Sequence, residues 1–320
     1  MDEVAPGSEP ETVPKVAQDT AQGTAQEAVS SEAASGVAHD QARDAESGGL
    51  WDCRLRGRFR REGQEVLPGD IVTFGVLDEA GRKGIVEAVM PRKNRLLRPP
   101  VANVDQALVV LAADYPQPDL WLLDRLLLMI LAEGIAPLLC WNKEDLAGFD
   151  ELSVYMKPYE AAGFDQLATC ALTGHGVALL GEKLRGRTTV LAGPSGVGKS
   201  SLLNRIEPDI TLKTGEISDK TGRGRHTTRH VEWIPLTQGG WVADTPGFSQ
   251  MVMPEALTSA ALAEYYPEFA PFLDGCRFRS CIHDQEQDCG ISEGVREGGL
   301  DEGRYRRYQA FLHELKDREY

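Results

Sequence analysis

The 320-residue sequence predicts a chain of several domains, namely a small β-barrel, an α/β domain and a small helical domain. Three observations support this division. Residues 50–98 contain short β-type segments separated by turns, and residues 99–255 alternate apolar strands with helices. Residues 256–320 combine a cysteine-rich loop with a terminal amphipathic helix. Residues 1–49 are expected to lie outside all three domains.

These first 49 residues are predicted to be a disordered acidic tail. They carry ten acidic and two basic side chains and almost no large apolar ones, so they bury too little surface to offset the entropy of ordering. They account for about half of the formal charge of −15, which leaves room for basic patches elsewhere. The tail is too acidic for a transit peptide and lacks the apolar core of a signal peptide. No apolar run is long enough to span a bilayer, so we expect a cytoplasmic protein with no membrane partner.

The barrel is predicted from "LPGDIVTFGVLDEAGRKGIVEAVMPR", where turns at Pro68-Gly69-Asp70 and Gly81-Arg82 separate short strands. Several such strands in about fifty residues indicate a five-stranded barrel of the oligonucleotide-binding (OB) type. Just before them, "CRLRGRFRR" has arginines at alternate positions, which share one face if the segment is a single strand. The predicted RNA-binding residues are Arg54, Arg56, Arg58 and Arg60. An arginine-rich edge strand that merely resists aggregation is the alternative.

From residue 104 the pattern changes to strands followed by helices. The predicted strands are "DQALVVLAA", "APLLCW", "QLATCA" and "TTVLAG", and the predicted helices include "LWLLDRLLLMILAEG" and "GVALLGEKL". "HVEWIPL" and "GWVADTPG" add two strands separated by a Gly-Gly pair. This alternation predicts a parallel sheet with helices on both faces. Ligands of such sheets bind beyond the carboxyl ends of the strands.

The segment "AGPSGVGKSS" follows one of these strands and begins a helix, which is the required context for the pattern G-x-x-x-x-G-K-[ST]. The glycines let the backbone wrap around phosphate oxygens, and the helix directs its positive end at the same anion. Lys199 should reach the β- and γ-phosphates as a catalytic residue, and Ser200 should ligate Mg²⁺. A glycine-rich structural turn is the alternative. The predicted nucleotide-binding residues here are Gly193, Pro194, Ser195, Gly196, Val197, Gly198, Lys199, Ser200 and Ser201.

The segment "WNKEDL" contains an N-K-x-D element at the carboxyl end of an earlier strand. Asp145 can accept hydrogen bonds from guanine N1–H and the exocyclic amine at once, whereas adenine offers no such pair. Lys143 can lie along the base, and Asn142 can tie this loop to the phosphate loop. A helix cap is the alternative. "TCALTGHG" is predicted to be a second base-contacting loop, with Cys-Ala in place of the more usual Ser-Ala. The predicted base-binding residues are Asn142, Lys143, Glu144, Asp145, Cys170 and Ala171.

A D-x-x-G element, Asp244 to Gly247, follows another strand. Asp244 would hold Mg²⁺ through water, and the Gly247 N–H would bind the γ-phosphate of GTP. One of Thr227 and Thr228 should complete the Mg²⁺ shell. The base-reading loops precede the phosphate loop along the chain, yet all of them lie at one sheet edge. The elements therefore predict a circularly permuted P-loop GTPase domain, because such geometry survives permutation.

Three cysteines and one histidine lie within fourteen residues near the C-terminus: Cys276, Cys281, His283 and Cys289. Three thiolates and one imidazole form a tetrahedral zinc set with no open position, which predicts one structural Zn²⁺. The metal would replace a hydrophobic core too small to fold alone. A disulfide with a spare thiol is the alternative.

Together these motifs resemble those of the RsgA (YjeQ) family of circularly permuted, ribosome small-subunit-dependent GTPases. The resemblance covers about residues 50–320 and includes "PRKNRLLRPPVANVDQ", "WNKEDL", "GPSGVGKSS", "GRHTTR", "DTPGF", the cysteine set and "RYRRY". It implies an OB-type barrel, a permuted GTPase domain and a zinc-binding domain. It also implies a late assembly factor of the small (30S) ribosomal subunit that binds rRNA and hydrolyses GTP to GDP faster on that particle.

In that family the catalytic glutamine after D-x-x-G is replaced by an apolar residue, and Phe248 occupies the position here. A water-orienting group must then come from elsewhere, and His226 is the candidate catalytic residue. A loop histidine that contacts RNA or solvent is the alternative. Hydrolysis is expected to release segments 222–230 and 244–250 and so to weaken RNA docking. We expect a monomer. An RNA-binding scaffold without turnover stays open as another function, whereas a P-loop kinase or ATPase is disfavoured by Asp145.

Overall fold

The computed structural model describes residues 22–27, 39–44, 50–97, 100–208, 232–244 and 253–319. Two β-structures and a helical lobe organise these residues. The first β-structure is a closed five-stranded barrel with the strand order β1-β2-β3-β5-β4. Its strands are β1 (Gln22–Glu27), β2 (His39–Asp44), β3 (Leu50–Leu55), β4 (Ile71–Asp78) and β5 (Lys83–Val89), and a short helix, α1 (Gly57–Arg61), follows β3.

Two of these barrel strands come from the segment predicted to be a disordered tail. β1 pairs with β4 and closes the barrel, and β2 lies between β1 and β3. The prediction for residues 1–49 is therefore wrong for these two segments. The number of strands was predicted correctly, but only three of them lie within residues 50–98. Strand pairing satisfies main-chain hydrogen bonds, so a segment poor in large apolar side chains can still complete a barrel.

The arginine-rich segment is not one strand. β3 ends at Leu55, and Arg58 and Arg60 lie on α1, so the prediction that all four arginines share one strand face is wrong. Phe59 gives the reason, because its ring is buried in the barrel core and α1 places it there. Arg54, Arg56 and Arg58 are exposed.

A two-stranded hairpin of β6 (Arg95–Leu97) and β7 (Pro100–Ala102) leads from the barrel to a six-stranded sheet. The sheet has the order β10-β9-β8-β11-β13-β12, and all its pairs are parallel except β12–β13. Its elements in chain order are β8 (Gln106–Ala112), α2 (Leu120–Ala132), β9 (Ala136–Asn142), α3 (Phe149–Ala161), β10 (Asp165–Ala168), α4 (Val177–Leu184), β11 (Thr188–Ala192), α5 (Lys199–Ile206), β12 (Glu232–Pro235) and β13 (Trp241–Asp244).

β8 shows why this sheet has helices on both faces. Every residue of the strand is buried, and successive side chains enter two different cores. Val109 and Leu111 join the core that includes residues of α2 and α3, whereas Leu108 and Val110 join the core formed with α4 and α5. The continuous apolar run in the sequence is therefore the signature of a central parallel strand.

The helical lobe surrounds the cysteine cluster. It contains 3-10 helices at Leu262–Tyr265 and Pro267–Gly275, followed by α6 (Gly290–Arg296) and α7 (Glu302–Glu319). Its core includes Tyr308 and Phe311 of α7 together with Leu128 of α2. Across the described ranges, none of the helices combines the length and the apolarity needed to cross a membrane.

A buried group of charges joins this lobe to helices α2 and α3, and we call it the cysteine-side contact. Asp124 of α2 is 2% exposed and accepts hydrogen bonds from Arg304 Nη1 at 2.6 Å, Tyr159 Oη at 2.9 Å and Arg307 Nε. Arg304 also donates from Nε to Glu268 at 2.5 Å, and its guanidinium lies 4.8 Å from the centre of the Tyr159 ring. One carboxylate thus binds two arginines of α7.

A different set, the barrel-side contact, combines an ion pair within the barrel region with a hydrogen bond from the segment that precedes β8. Arg92 donates from Nε and Nη2 to the two oxygens of Asp70, at 2.6 and 2.8 Å, and Asp70 also accepts from Leu67 N–H at 2.7 Å. Asn103, which precedes β8, donates to Gly69 O at 2.8 Å. A Cβ on Gly69 would lie 2.2 Å from Ala102 O, so this turn requires glycine for close approach.

Candidate nucleotide site and metal site

The phosphate loop connects β11 to α5 and lies against the neighbouring strand β8. Gly193 has φ +122°, and a Cβ there would lie 2.1 Å from Val110 O. Gly198 has φ +96°, and a Cβ there would lie 2.3 Å from the Asn142 side chain. No side chain fits at either position, because the backbone approaches its neighbours too closely. Pro194, Ser195, Gly196 and Val197 form the loop between these two glycines.

Lys199 is the first residue of α5, and its amine lies inside the curve of this loop. Nζ donates to Gly193 O at 3.0 Å and to Pro194 O at 2.8 Å. Ser200 and Ser201 follow in the first helical turn and are half-buried. The amine thus lies within the loop that leads into an eight-residue helix, and the amino-terminal end of that helix is suited to an anion.

Asn142 links this loop to both predicted base loops. Its side chain is 1% exposed, and Nδ2 donates to Val197 O at 2.8 Å. Its Oδ1 accepts from Ala171 N–H at 3.2 Å and from Thr169 Oγ1 at 3.1 Å. One amide therefore connects the N-K-x-D loop, the phosphate loop and the second base loop. The contacting residues of the first and second loops, Asn142 and Val197, are 55 residues apart in the chain.

The remaining N-K-x-D residues lie on the surface beside Asn142. Lys143 has a left-handed φ of +59° and donates from Nζ to Tyr115 O at 2.8 Å. Glu144 contacts His175 Nδ1 through its carboxylate. Asp145 is exposed on a 3-10 helix at Glu144–Leu146, and its Oδ1 accepts from Cys170 Sγ at 3.0 Å.

Thr169 is a site residue that the sequence argument did not single out. It is fully buried, donates to Asn142, and lies 3.2 Å through Oγ1 from Cys140 Sγ. Burial raises the pKa of Cys140 to about 12, so that thiol stays protonated at neutral pH. The available signal was a polar residue at the end of a strand, immediately before the Cys-Ala pair.

Several predicted site residues lie outside the described residues: His226, Thr227, Thr228 and Gly247. Asp244 is the last residue of β13, which pairs in parallel with β11, the strand that enters the phosphate loop. The backbone of Asp244 is thus next to the strand that carries this loop. The roles assigned to these residues stay predictions.

The cysteine cluster brings its four ligand atoms together. Cys276, Cys281, His283 and Cys289 each offer one atom, and all four atoms lie within 4.8 Å of one another. Cys276 Sγ and Cys289 Sγ are each 3.5 Å from His283 Nδ1. Tetrahedral zinc with ordinary bond lengths places sulfur and nitrogen ligands about 3.6 Å apart, so the residues fit this metal.

The surroundings of His283 also favour metal binding. Burial lowers the pKa of its imidazole, which keeps the ring in the neutral form that metals require. Tyr305 Oη donates to His283 O at 3.1 Å, and Tyr308 Oη donates to Ile282 O at 2.6 Å. Two tyrosines of α7 therefore hold the main chain of the ligand loop.

The sequence matches two family models, the RsgA GTPase over residues 89–254 and the RsgA N-terminal domain over residues 44–86. A relative from Moorella thermoacetica is 47% identical over 277 residues, which is 85% of this chain and 92% of the relative. That relative is named small ribosomal subunit biogenesis GTPase RsgA. This chain belongs to the RsgA GTPase family.

Solved structures agree with this membership. YjeQ from Thermotoga maritima superposes with a TM-score of 0.78 at 33% identity, covering 92% of this chain and 99% of that one. YloQ, described as a circularly permuted GTPase, superposes with a TM-score of 0.74 at 34% identity, covering 94% and 96%. The predicted fold class is confirmed, and the chain is a GTP-hydrolysing enzyme of the RsgA family.

Proposed function

We propose that this protein is an assembly factor of the small (30S) ribosomal subunit that binds the subunit with GTP and is released when GTP is hydrolysed. The hydrogen bonds of Asn142 carry the nucleotide part of this proposal, because they join a base-reading loop to a phosphate loop at one sheet edge. The ribosomal part is supported by relatives whose names specify biogenesis of that subunit.

In this proposal each end of the site reads one end of the nucleotide. The Asp145 carboxylate accepts from the guanine edge, and Lys143 lies along the base plane. The amides of residues 193–201 surround the β- and γ-phosphates, and the Lys199 amine offsets the charge that develops on transfer. Gly247 N–H contacts the γ-phosphate.

Ser200, Asp244 and one of Thr227 and Thr228 would hold Mg²⁺. Ser200 is half-buried and follows Lys199 in the first turn of α5, and its hydroxyl would be an oxygen ligand for a cation that also touches phosphate oxygens. When bound, Mg²⁺ neutralises charge on the transferred phosphoryl group. His226 orients the attacking water, since Phe248 cannot do so.

The barrel supplies the RNA contact in this proposal. Arg54 and Arg58 are exposed, and Arg56 pairs with Glu87 at 2.8 Å, so their guanidinium groups lie around the end of β3 and the start of α1. With Arg60 they would contact phosphates in the manner of OB-type domains. The zinc ion is structural, and the protein acts as a cytoplasmic monomer without a membrane partner.

The deciding experiment is GTP turnover titrated with purified small subunits. We expect turnover to rise with subunit concentration, and the GTP-bound form to bind subunits more tightly than the GDP-bound form. His226→Ala should reduce stimulated turnover about 100-fold while leaving GTP affinity intact, and Lys199→Ala should impair both. An excess of ATP should not compete with GTP.

Other outcomes would select other functions. A GTP turnover rate that does not change with the concentration of small subunits would contradict the assembly role. Subunit binding with no single-turnover hydrolysis would favour an RNA-binding scaffold. Full stimulated turnover in the His226→Ala variant would remove that residue from the mechanism.

A further inference from the structure

The loop that carries the histidine of the cysteine cluster is held by a carboxylate three residues further along the chain. Glu286 accepts from Ile282 N–H through Oε1 at 3.0 Å and from Asp284 N–H through Oε2 at 2.8 Å. These two N–H groups belong to the residues on either side of His283. One carboxylate therefore brackets the main chain of this ligand.

His283 needs such support because of its backbone conformation. Its φ is +59°, in the left-handed region that residues other than glycine adopt only at a cost in free energy. The residue is 4% exposed, and its Nδ1 lies 3.5 Å from the sulfur atoms of both Cys276 and Cys289. Rotation about φ would move the imidazole away from these sulfurs, so the strained conformation is the one that completes the metal set.

The other main-chain groups of this segment have different partners. Tyr308 Oη donates to Ile282 O at 2.6 Å, and Tyr305 Oη donates to His283 O at 3.1 Å. The main-chain N–H of His283 itself donates to Cys281 Sγ. The tyrosines of α7 thus hold carbonyl groups, and the N–H groups that flank the ligand are left to Glu286.

We infer that Glu286 is a positioning residue that holds His283 in its ligand conformation and so sets how slowly zinc leaves the cysteine cluster. The inference rests on the proposed zinc site and deepens it. Partners behind the ligands of a metal commonly change its affinity by about 10- to 100-fold. The competing interpretation is that Glu286 only closes a surface turn, in which case its replacement loosens the lobe without changing the metal geometry.

The test compares the zinc-loaded wild type with Glu286→Gln, Glu286→Ala and a control in the same loop, Asp288→Asn. Glutamine keeps one accepting oxygen but presents an amide donor to the second N–H. Asp288 precedes the ligand Cys289, and its carboxylate pairs with Arg277 at 3.1 Å while both side chains are exposed. The control therefore removes one negative charge near the metal and leaves both hydrogen bonds of Glu286 in place.

Three measurements separate the two interpretations. The first is the rate at which zinc passes from the native protein to an excess of the colorimetric chelator pyridylazoresorcinol. The second is the visible absorption spectrum of the cobalt-substituted protein, which reports the number and the geometry of the sulfur and nitrogen ligands. The third is hydrogen exchange of α7 in the zinc-loaded state, which shows whether the lobe is equally folded in all four proteins.

We expect zinc to leave Glu286→Gln about tenfold faster than the wild type, and to leave Glu286→Ala at least as fast as that. The cobalt spectra of both variants should lose intensity, because His283 no longer stays in the tetrahedral set. Exchange of α7 in zinc-loaded Glu286→Gln should equal that of the wild type. Asp288→Asn should release zinc within about twofold of the wild-type rate, since exposed charges contribute little.

Equal release rates for Glu286→Gln and Asp288→Asn would overturn the inference while leaving the zinc site intact. Faster release with an unchanged cobalt spectrum and faster exchange of α7 would also overturn it, because that pattern describes a loosened lobe. If Glu286→Ala does not fold, the comparison of Glu286→Gln with the control decides. A wild-type protein that is fully folded and binds no zinc would overturn the zinc site itself, and the inference with it.

Discussion

The helical lobe is attached to the α/β domain by a buried ion pair, whereas the ion pair of the barrel lies within the barrel region itself and the adjacent Gly69 contacts Asn103. At the cysteine-side contact, the side chains of Asp124 and Arg304 are almost fully buried, at 1% and 3% exposure. At the barrel-side contact, Asp70 is equally buried, but the side chain of Arg92 keeps 22% of its surface exposed. Water can reach Arg92 but not Arg304, so we expect loss of the partner carboxylate to lower the unfolding free energy more at Asp124 than at Asp70.

The largest effect should follow loss of a metal ligand. Cys281→Ser, or chelation of the wild type, should release zinc and unfold residues 253–319, because structural zinc contributes about 10 kcal/mol or more to such lobes. Metal content and hydrogen exchange of α7 measure this, with Cys140→Ser as a thiol control outside the cluster. Persistent protection of α7 after complete zinc loss would show that helix packing alone holds the lobe.

The next effect concerns the buried carboxylate. Asp124→Asn removes the buried carboxylate that pairs with Arg307 and leaves Arg304 paired with Glu268 alone, so we expect a loss of about 3–5 kcal/mol in unfolding free energy. Glu302→Gln is the matched control on the same helix, because its pair with Arg306 is exposed, and it should change stability by less than about 1 kcal/mol. Urea unfolding measures both, and similar midpoints would contradict a buried ionic attachment.

In the barrel, the equivalent aspartate-to-asparagine substitution at Asp70 should lower the unfolding free energy by a smaller amount. Asp70→Asn keeps an oxygen for Leu67 N–H and leaves an arginine that can turn to water, so we expect about 1–3 kcal/mol. In urea unfolding, the midpoint of Asp124→Asn should therefore fall further below that of the wild type than the midpoint of Asp70→Asn. A larger effect at Asp70 would reverse it.

The smallest effect should appear at the end of α7 and depend on pH. Ser259 donates to Glu319 from N–H and Oγ, both at 2.7 Å, and these bonds lower the pKa of the carboxyl below its ordinary 4.5. A carboxyl whose pKa is lower in the folded state stabilises the fold at pH values above its pKa in the unfolded chain. This stabilisation is lost as the pH falls through the pKa of the folded state. The Tm difference between wild type and Glu319→Gln should therefore shrink below about pH 4.5. A constant difference would exclude the ionised carboxylate as its cause.

Local chemistry explains what the sequence could predict. Fully buried parallel strands such as β8 and β11 require continuous apolar runs, and a phosphate loop requires glycines where backbones nearly touch. Both requirements concern residues that are close together in the sequence, so both can be recognised from a short segment. Asn142 could be assigned a linking role because its position follows from the carboxyl end of β9.

Non-local pairing explains what it could not predict. β1 becomes a strand through its pairing with β4, so its own composition carries little signal. Phe59 turns an alternating arginine pattern into a helix because the barrel core receives its ring. Asp124 only interrupts an apolar run in the sequence, and its partner Arg304 is 180 residues away.

The amide of Asn142 has one further consequence. Because a single buried side chain fixes the distance between the two ends of the site before any ligand arrives, the entropy of assembling them is lost during folding. Guanosine and pyrophosphate, supplied as separate molecules, should therefore bind weakly. The sum of their two binding free energies should be much smaller in magnitude than the binding free energy of the intact nucleotide. The covalent link inside the ligand then matches a preset spacing in the protein.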